Sequence, residues 1–187
     1  HPNLSLRLHR ALSWLNRAEH AEDIDGRFIF LWIAFNAAYA TDIDEQQRLS
    51  EQETFKAFLE KLCSLDSTNS IEKLVWSEFP VSIRVLLDNP YVFQSFWDHQ
   101  SGKLSEEQWK ERFASGKKAA ALALANRNTL AVLGVMFNRI YTLRNQLIHG
   151  GATWNGRVNR DQLRDCSNLL SKLVPLIIQI MLDNPDT

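Results

Sequence analysis

One segment constrains this chain more than any other: Phe28-Ile29-Phe30-Leu31-Trp32-Ile33-Ala34-Phe35, an unbroken apolar run. A helix carrying it, from about Gly26 to Ala40, has no polar face. A helix that is apolar on all sides has to be buried in the middle of a fold or at a subunit contact. The rest of the sequence offers helices to bury it. Glycines number seven and prolines five in 187 residues, and no Val/Ile/Thr-rich run alternates between turn signals as a hairpin does. The expected fold class is all-α. The length is that of one domain, so residues 1–187 read as a single helical bundle.

Charge and cysteine usage exclude several functions. Lys and Arg total 21 against 22 Asp and Glu, a net charge of -1. Coating nucleic acid or an anionic membrane by bulk charge needs a strongly basic surface, so that mode is excluded, while a small basic site is not. Cys63 and Cys166 are too few for a disulfide framework and too far apart for a zinc motif. They fit free buried thiols in a reducing, cytoplasmic compartment. Apolar stretches fall short of the ~18–20 residues that span a bilayer: Phe28 to Ala40 is interrupted by Asn36, and Leu173 to Leu182 contains Pro175 and Gln179. No membrane partner is expected.

Along the chain, a first helix fits Leu4 to Ala21, with Leu8, Leu12 and Leu15 on one side. The cluster Glu22-Asp23-Ile24-Asp25 then supplies caps and favourable charge for the apolar helix. Residues 41–66 are acidic, with Asp42, Asp44, Glu45, Glu51, Glu53, Glu60 and Asp66 against Arg48, Lys56 and Lys61, as expected of a solvated helical face. Residues 67–103 are less regular and rich in aromatics (Trp76, Phe79, Tyr91, Phe93, Phe96, Trp97). They read as short helices inserted in the middle of the chain. Ser105-Glu106-Glu107 has the form of a capped first turn, opening a helix to about Ala125. Asn128-Thr129 opens the next, which runs to His149 and is closed by Gly150-Gly151. Asn155-Gly156 marks a turn. The last helix, from Asn159 or Arg160 to Leu182, carries Leu163, Cys166, Leu170, Leu173, Ile177 and Ile180 at alternating spacings of three and four, a seam for packing against another helix. Pro175 is expected to kink it, because its ring displaces the bond to the Ser171 carbonyl.

The sequence holds no phosphate-cradling glycine loop, HExxH, GxSxG or paired CxxC. The triplets Asp23-Ile24-Asp25 and Asp42-Ile43-Asp44 resemble calcium loops only superficially, since Arg27 stands where a loop starting at Asp23 would need Asp or Asn. Helix capping accounts for both. No metal site and no cofactor are expected.

The informative segment is Tyr141-Thr142-Leu143-Arg144-Asn145-Gln146-Leu147-Ile148-His149-Gly150-Gly151. At about 100° per residue, Val132, Leu133, Met136, Phe137, Ile140, Leu143 and Leu147 share one apolar arc. Asn138, Thr142, Asn145 and His149 form a narrow polar stripe. Arg144 lies at the rim of the apolar arc, about 140° from His149, where its stem is desolvated and its guanidinium can reach across a groove. On spacing alone, a histidine in a last helical turn is favoured by the helix dipole, and an arginine five residues earlier can simply pair with a carboxylate.

Arg-Asn-x3-His-Gly-Gly at the end of a long helix, just before a terminal helix, resembles the HEPN superfamily, whose all-helical domains carry an Arg-x(4–6)-His motif, often with a polar residue after the arginine. That polar residue is Asn145 here. The stretch from Arg27 to Tyr39 and the tail from Asn159 to Pro185 look like the Apea-like and related branches. The resemblance implies a HEPN-like helical bundle with extra short helices inserted at about 67–103, and metal-independent cleavage of RNA. In that reaction the 2′-hydroxyl attacks the adjacent phosphorus to give a 2′,3′-cyclic phosphate. It also implies a toxin or phage-defence setting, a homodimer that brings two motifs together, and a cognate antitoxin or regulatory protein. Some members carry a tyrosine two residues after the histidine as a modification site. Gly151 stands there, so that regulation is not carried over.

In this reading His149 moves a proton near neutrality, Arg144 grips phosphate oxygens, and Asn145 orients the imidazole or a phosphate oxygen. Arg139, Arg157 and Arg160 are candidate RNA contacts within a segment, Arg139 to Asp165, that holds five arginines against two aspartates. Trp154 either stacks on an unpaired base or plugs a local apolar gap. Asn36, Tyr39, Asn138 and Thr142 are candidate cleft-lining residues. The apolar helix and the terminal seam are candidate self-association surfaces. Two other functions fit the same residues: a non-catalytic RNA- or nucleotide-binding module, and a protein-interaction scaffold.

Overall fold

The computed structural model describes residues 2–39 and 51–185, with the side chains of residues 2 and 51–54 left aside. All regular structure in the described residues is helical, as expected. These residues form two compact units, one comprising 1–74 with 166–187 and the other 75–165.

In the first unit α1 (Pro2–Glu19) and α2 (Ile24–Tyr39) pair. α1 offers Leu8, Ala11, Leu15 and Ala18, all buried at spacings of three and four. Of the expected row Leu8, Leu12 and Leu15, only Leu12 turns outward, at 47% exposed. Asp23 Oδ1 accepts the Gly26 N–H at 2.8 Å, so Asp23 caps α2, while Asp25 lies buried within it at 3% exposed. Near the other end of α2 the Arg7 guanidinium donates to the Ala38 carbonyl, one of the carbonyls a helix end leaves without an internal partner. No residue of α2 is exposed, and Phe28, Leu31, Trp32, Ala34, Phe35 and Ala38 are fully buried.

The second acidic triplet lies outside the described residues. α3 (Glu51–Leu65) buries Leu59 and Leu62 and places Phe55 and Phe58 against Phe35, with ring centroids 5.5 and 6.3 Å away. Asp66, read as part of a solvated face, is instead 8% exposed and accepts the Ile71 N–H at 2.7 Å, which fastens the short α4 (Ser70–Lys73).

A π-turn over Leu74–Glu78 leads from the first unit into the second. α5 (Pro80–Leu87), a 3-10 turn at Pro90–Val92 and α6 (Gln94–Gln100) follow. These are the short helices expected in 67–103. Their aromatics pack on α7 (Glu106–Ala125): Phe96 lies 5.3 Å from Trp109, and Phe93 lies 5.3 Å from Phe113. α7 begins with a full capping box between Ser105 and Gln108. α8 (Thr129–Ile148) begins with the Asn128 side chain accepting the Ala131 N–H at 3.0 Å.

α9 (Arg160–Asp183) runs through Pro175 without interruption in its assignment. Leu163, Cys166, Leu170, Leu173, Ile177 and Ile180 are all buried. By length and composition α9 is apolar enough to cross a membrane, which the sequence reading did not expect of any segment, and 56% of its most apolar window is buried inside the protein. The two surfaces considered for self-association, α2 and the α9 seam, are therefore covered within a single chain.

Candidate active site

α8 sets the site. It buries Val132, Leu133, Met136, Phe137, Ile140 and Leu143, and its register then turns the last positions toward water. His149 caps the helix, its N–H bonded to the Asn145 carbonyl at 3.0 Å, and its side chain is exposed. Gly150 follows at φ +71°, the left-handed turn that ends helices and that glycine adopts without a Cβ penalty. Its N–H reaches the Leu147 carbonyl at 3.4 Å. Gly151 approaches Gln146 so closely that a Cβ would lie 3.4 Å from the Gln146 backbone.

Arg144 is half-buried. Its guanidinium lies over the Tyr141 ring at 5.4 Å, and Nη1 donates to Asn145 Oδ1 at 2.8 Å. Asn145 thus orients the arginine, where the sequence suggested the imidazole or a phosphate oxygen. Among the described residues Arg144 Nε, sealed from solvent, has no acceptor, and none bonds to the His149 ring. The end of α8 therefore gathers an arginine fixed by a neighbouring amide and a solvent-facing imidazole. The segment from His149 to Arg160 contains no carboxylate. Such a set can neutralise a phosphate and exchange a proton with solvent or ligand.

The other candidates divide. Asn138 is exposed, but Thr142 is 4% exposed and its hydroxyl donates back to the Asn138 carbonyl at 3.0 Å. Its polarity is used within the helix. Arg139 is withdrawn from the RNA-contact set. It is 5% exposed, its guanidinium lies 4.3 Å above the Phe93 ring, and burial lowers its pKa to about 10. Arg157 is exposed and Arg160 half-buried. Arg164 bridges Asp161 at 3.0 Å and Asp165 at 3.2 Å, which leaves Arg144 and Arg157 as the basic groups nearest the end of α8 in sequence. Trp154 does not plug a gap: it is 75% exposed.

Asn36 and Tyr39 belong to the first unit. Tyr39 packs among Phe35, Phe55 and Phe58 at 5.2–5.9 Å, and Asn36 Oδ1 is sealed without a partner among the described residues. The second unit does not contain them.

Sequence reasoning missed Gln146. It is 6% exposed, with Nε2 donating to the Tyr91 carbonyl at 2.7 Å and Oε1 accepting from Asn159 Nδ2. The signal was present: a polar residue three positions after Leu143 continues the three-four spacing of the buried face.

Neither cysteine is prepared as a nucleophile. Cys166 is buried, and burial together with the nearby Asp66 carboxylate pushes the Cys63 thiol up from its ordinary value. Among the described residues no group of three His, Cys, Asp or Glu is placed to hold a metal ion. Comparison with family models, curated proteins and solved structures finds no match to this chain.

Proposed function

We propose that the chain is a metal-independent endoribonuclease of the HEPN type. The observation that carries this reading is the end of α8, where Arg144, fixed by Asn145, and the exposed His149 stand on a stretch without carboxylates. In the proposed reaction the ribose 2′-oxygen attacks the adjacent phosphorus and the bond to the 5′-oxygen breaks. The products are a 2′,3′-cyclic phosphate and a 5′-hydroxyl. His149 takes the 2′-hydroxyl proton or supplies one to the departing 5′-oxygen. Arg144 neutralises the charge that builds on the non-bridging oxygens.

One such set is sparse for phosphoryl chemistry. A homodimer with two sets around one diester supplies the second arginine and histidine. Because α2 and the α9 seam are covered within each chain, that contact uses other surface. A toxin or phage-defence role in the cytoplasm, restrained by a cognate antitoxin, belongs to the same proposal.

The test is cleavage of RNA in the presence of a chelator, with product ends analysed for the cyclic phosphate, comparing wild type with Arg144→Ala and His149→Ala. Loss in both variants supports the assignment. Equal cleavage by all three overturns it. Saturable RNA binding with no cyclic-phosphate product replaces it with a non-catalytic binding module, the reading that the exposed Trp154 and Arg157 would then favour.

A further inference from the structure

The segment between α8 and α9 is tied at both ends to one residue. The Gln146 backbone carbonyl accepts the Ala152 N–H at 2.9 Å, where the segment begins. The Gln146 side chain holds Asn159, where it ends, and reaches the Tyr91 carbonyl. That carbonyl also takes the Trp97 indole N–H at 2.8 Å. Asn159 is 7% exposed and sits at φ +68°, a conformation asparagine tolerates. Its carbonyl accepts the Leu163 N–H at 2.8 Å and so starts α9.

Between these ties the chain makes a tight turn. The Gly156 N–H bonds to the Thr153 carbonyl at 3.0 Å, with Asn155 at φ +52°. A Cβ on Gly156 would come within 2.6 Å of Thr153 Oγ1, so the turn needs glycine. Trp154 occupies the corner, 75% exposed, with Arg157 exposed three residues on.

An indole held in water on an anchored loop gives up little further conformational freedom when a ligand covers it. Its surroundings select the ligand. The loop and the helix end beside it carry Arg144, His149 and Arg157 and no carboxylate, which suits an anion joined to a flat apolar group. A nucleotide has that form, its base stacking on an aromatic ring and its phosphate pairing with a guanidinium. A base inside a duplex has both faces covered by its neighbours, whereas an unpaired base has a face to offer.

We propose that Trp154 and Arg157 read one unpaired nucleobase and its phosphate, and that Gln146 is the positioning residue that holds the reading loop. The inference rests on the endoribonuclease reading only in taking that nucleotide to be part of the RNA cleaved at His149.

The test is binding of a fluorescein-labelled single-stranded 2′-O-methyl RNA, which lacks the attacking hydroxyl and cannot be cleaved, alongside the same strand in a duplex. Wild type is expected to prefer the single strand. Trp154→Ala is expected to weaken that binding about 5- to 150-fold, and Trp154→Phe to restore most of it. Gln146→Ala, checked by circular dichroism for a folded chain, is expected to weaken binding as well. The double variant should lose less than the sum of the two single losses, because Gln146 acts partly through Trp154; fully additive losses would overturn its positioning role.

Binding indifferent to Trp154 overturns the inference, as does a preference for duplex. So does a Trp154→Ala protein that loses a dimer while binding RNA normally, which would make Trp154 a subunit contact. Trp154-dependent binding without any cleavage by wild type upholds the reading loop and removes only the nuclease assignment. Cleavage with Trp154-independent binding does the reverse.

Discussion

α2 and α8 are both core helices, and they end differently. From Ile24 to Tyr39 nothing in α2 is exposed, and its aromatic side chains meet Phe55 and Phe58 of α3. α8 is buried along its core face through Leu143, with Asn138 exposed on the other side, then releases Ile148 and His149 into solvent and turns at Gly150. A helix covered on all sides can contribute only packing. A helix whose last turn leaves the core keeps a rigid foundation and gains groups that a ligand can reach, the arrangement that binding and catalytic residues need. The comparison makes opposite forecasts for substitutions in the two helices.

The largest expected effects separate activity from stability. At the end of α8, His149→Ala and Arg144→Ala should each lower RNA cleavage by roughly 10²–10⁴-fold. His149→Ala should move folding stability by less than about 0.5 kcal/mol, since the ring is exposed. In α2, Phe35→Ala should do the reverse. Phe35 is fully buried among Trp32, Tyr39, Phe55 and Phe58, and removing its ring should cost about 3–5 kcal/mol in urea unfolding. The protein that remains folded should cleave at an unchanged rate per molecule. A destabilising His149→Ala, or a Phe35→Ala that is stable and inactive, would break the distinction between the two helices.

The sequence shows this contrast unevenly. The burial of α2 follows from its lack of any polar face, and the start of α8 follows from Asn128, whose side chain makes the capping bond its residue type suggests. Helix ends were legible because caps and left-handed glycines are local chemistry. Side-chain destinations were less so. Arg139 lies about 20° from Val132 on a helical projection, inside the buried arc, yet its charge suggested a phosphate contact. Phe93, just after a distant short turn, lies under its guanidinium, and Gly116 of α7, having no side chain, leaves room beside it. Asp66 similarly looked like one more surface acid until Ile71 and Thr68 folded back onto it. Trp154 went the other way, exposed where aromatic residues are usually covered, because the turn closed by Gly156 and the ties to Gln146 hold it away from the core.

A smaller effect is expected where α7 meets the stack of Phe93 and Arg139. A Cβ on Gly116 would lie 3.0 Å from the Phe93 ring and 3.5 Å from Arg139 Nη2. Alanine gains about 1 kcal/mol over glycine inside a helix, while crowding a packed site costs about 1–3 kcal/mol. Gly116→Ala should therefore lower stability by about 1 kcal/mol in urea unfolding. A gain of the full helix-propensity difference would show that the ring moves aside freely, and that this part of α8 is packed more loosely than α2.

The smallest effect tests whether the interior of α8 needs its charge. Arg139 is buried, and its Nε has no acceptor among the described residues. The Phe93 face attracts the guanidinium, but the fall of its pKa to about 10, caused by burial, shows that the surroundings disfavour the charged form on balance. Methionine at this position keeps the packing of the stem and sheds the charge. Arg139→Met should therefore be more stable at neutral pH by on the order of 1 kcal/mol, with RNA cleavage retained. A depressed arginine pKa disfavours the folded state fully at pH values below about 10. That cost is relieved as the pH climbs from there toward the ordinary arginine range, because the folded protein releases the proton first. The advantage of the methionine variant should accordingly shrink above about pH 10, measured as the difference between the two unfolding curves. A variant that is markedly less stable at neutral pH would mean that the stack on Phe93 holds α8 in place, and that its interior, unlike that of α2, depends on a cation.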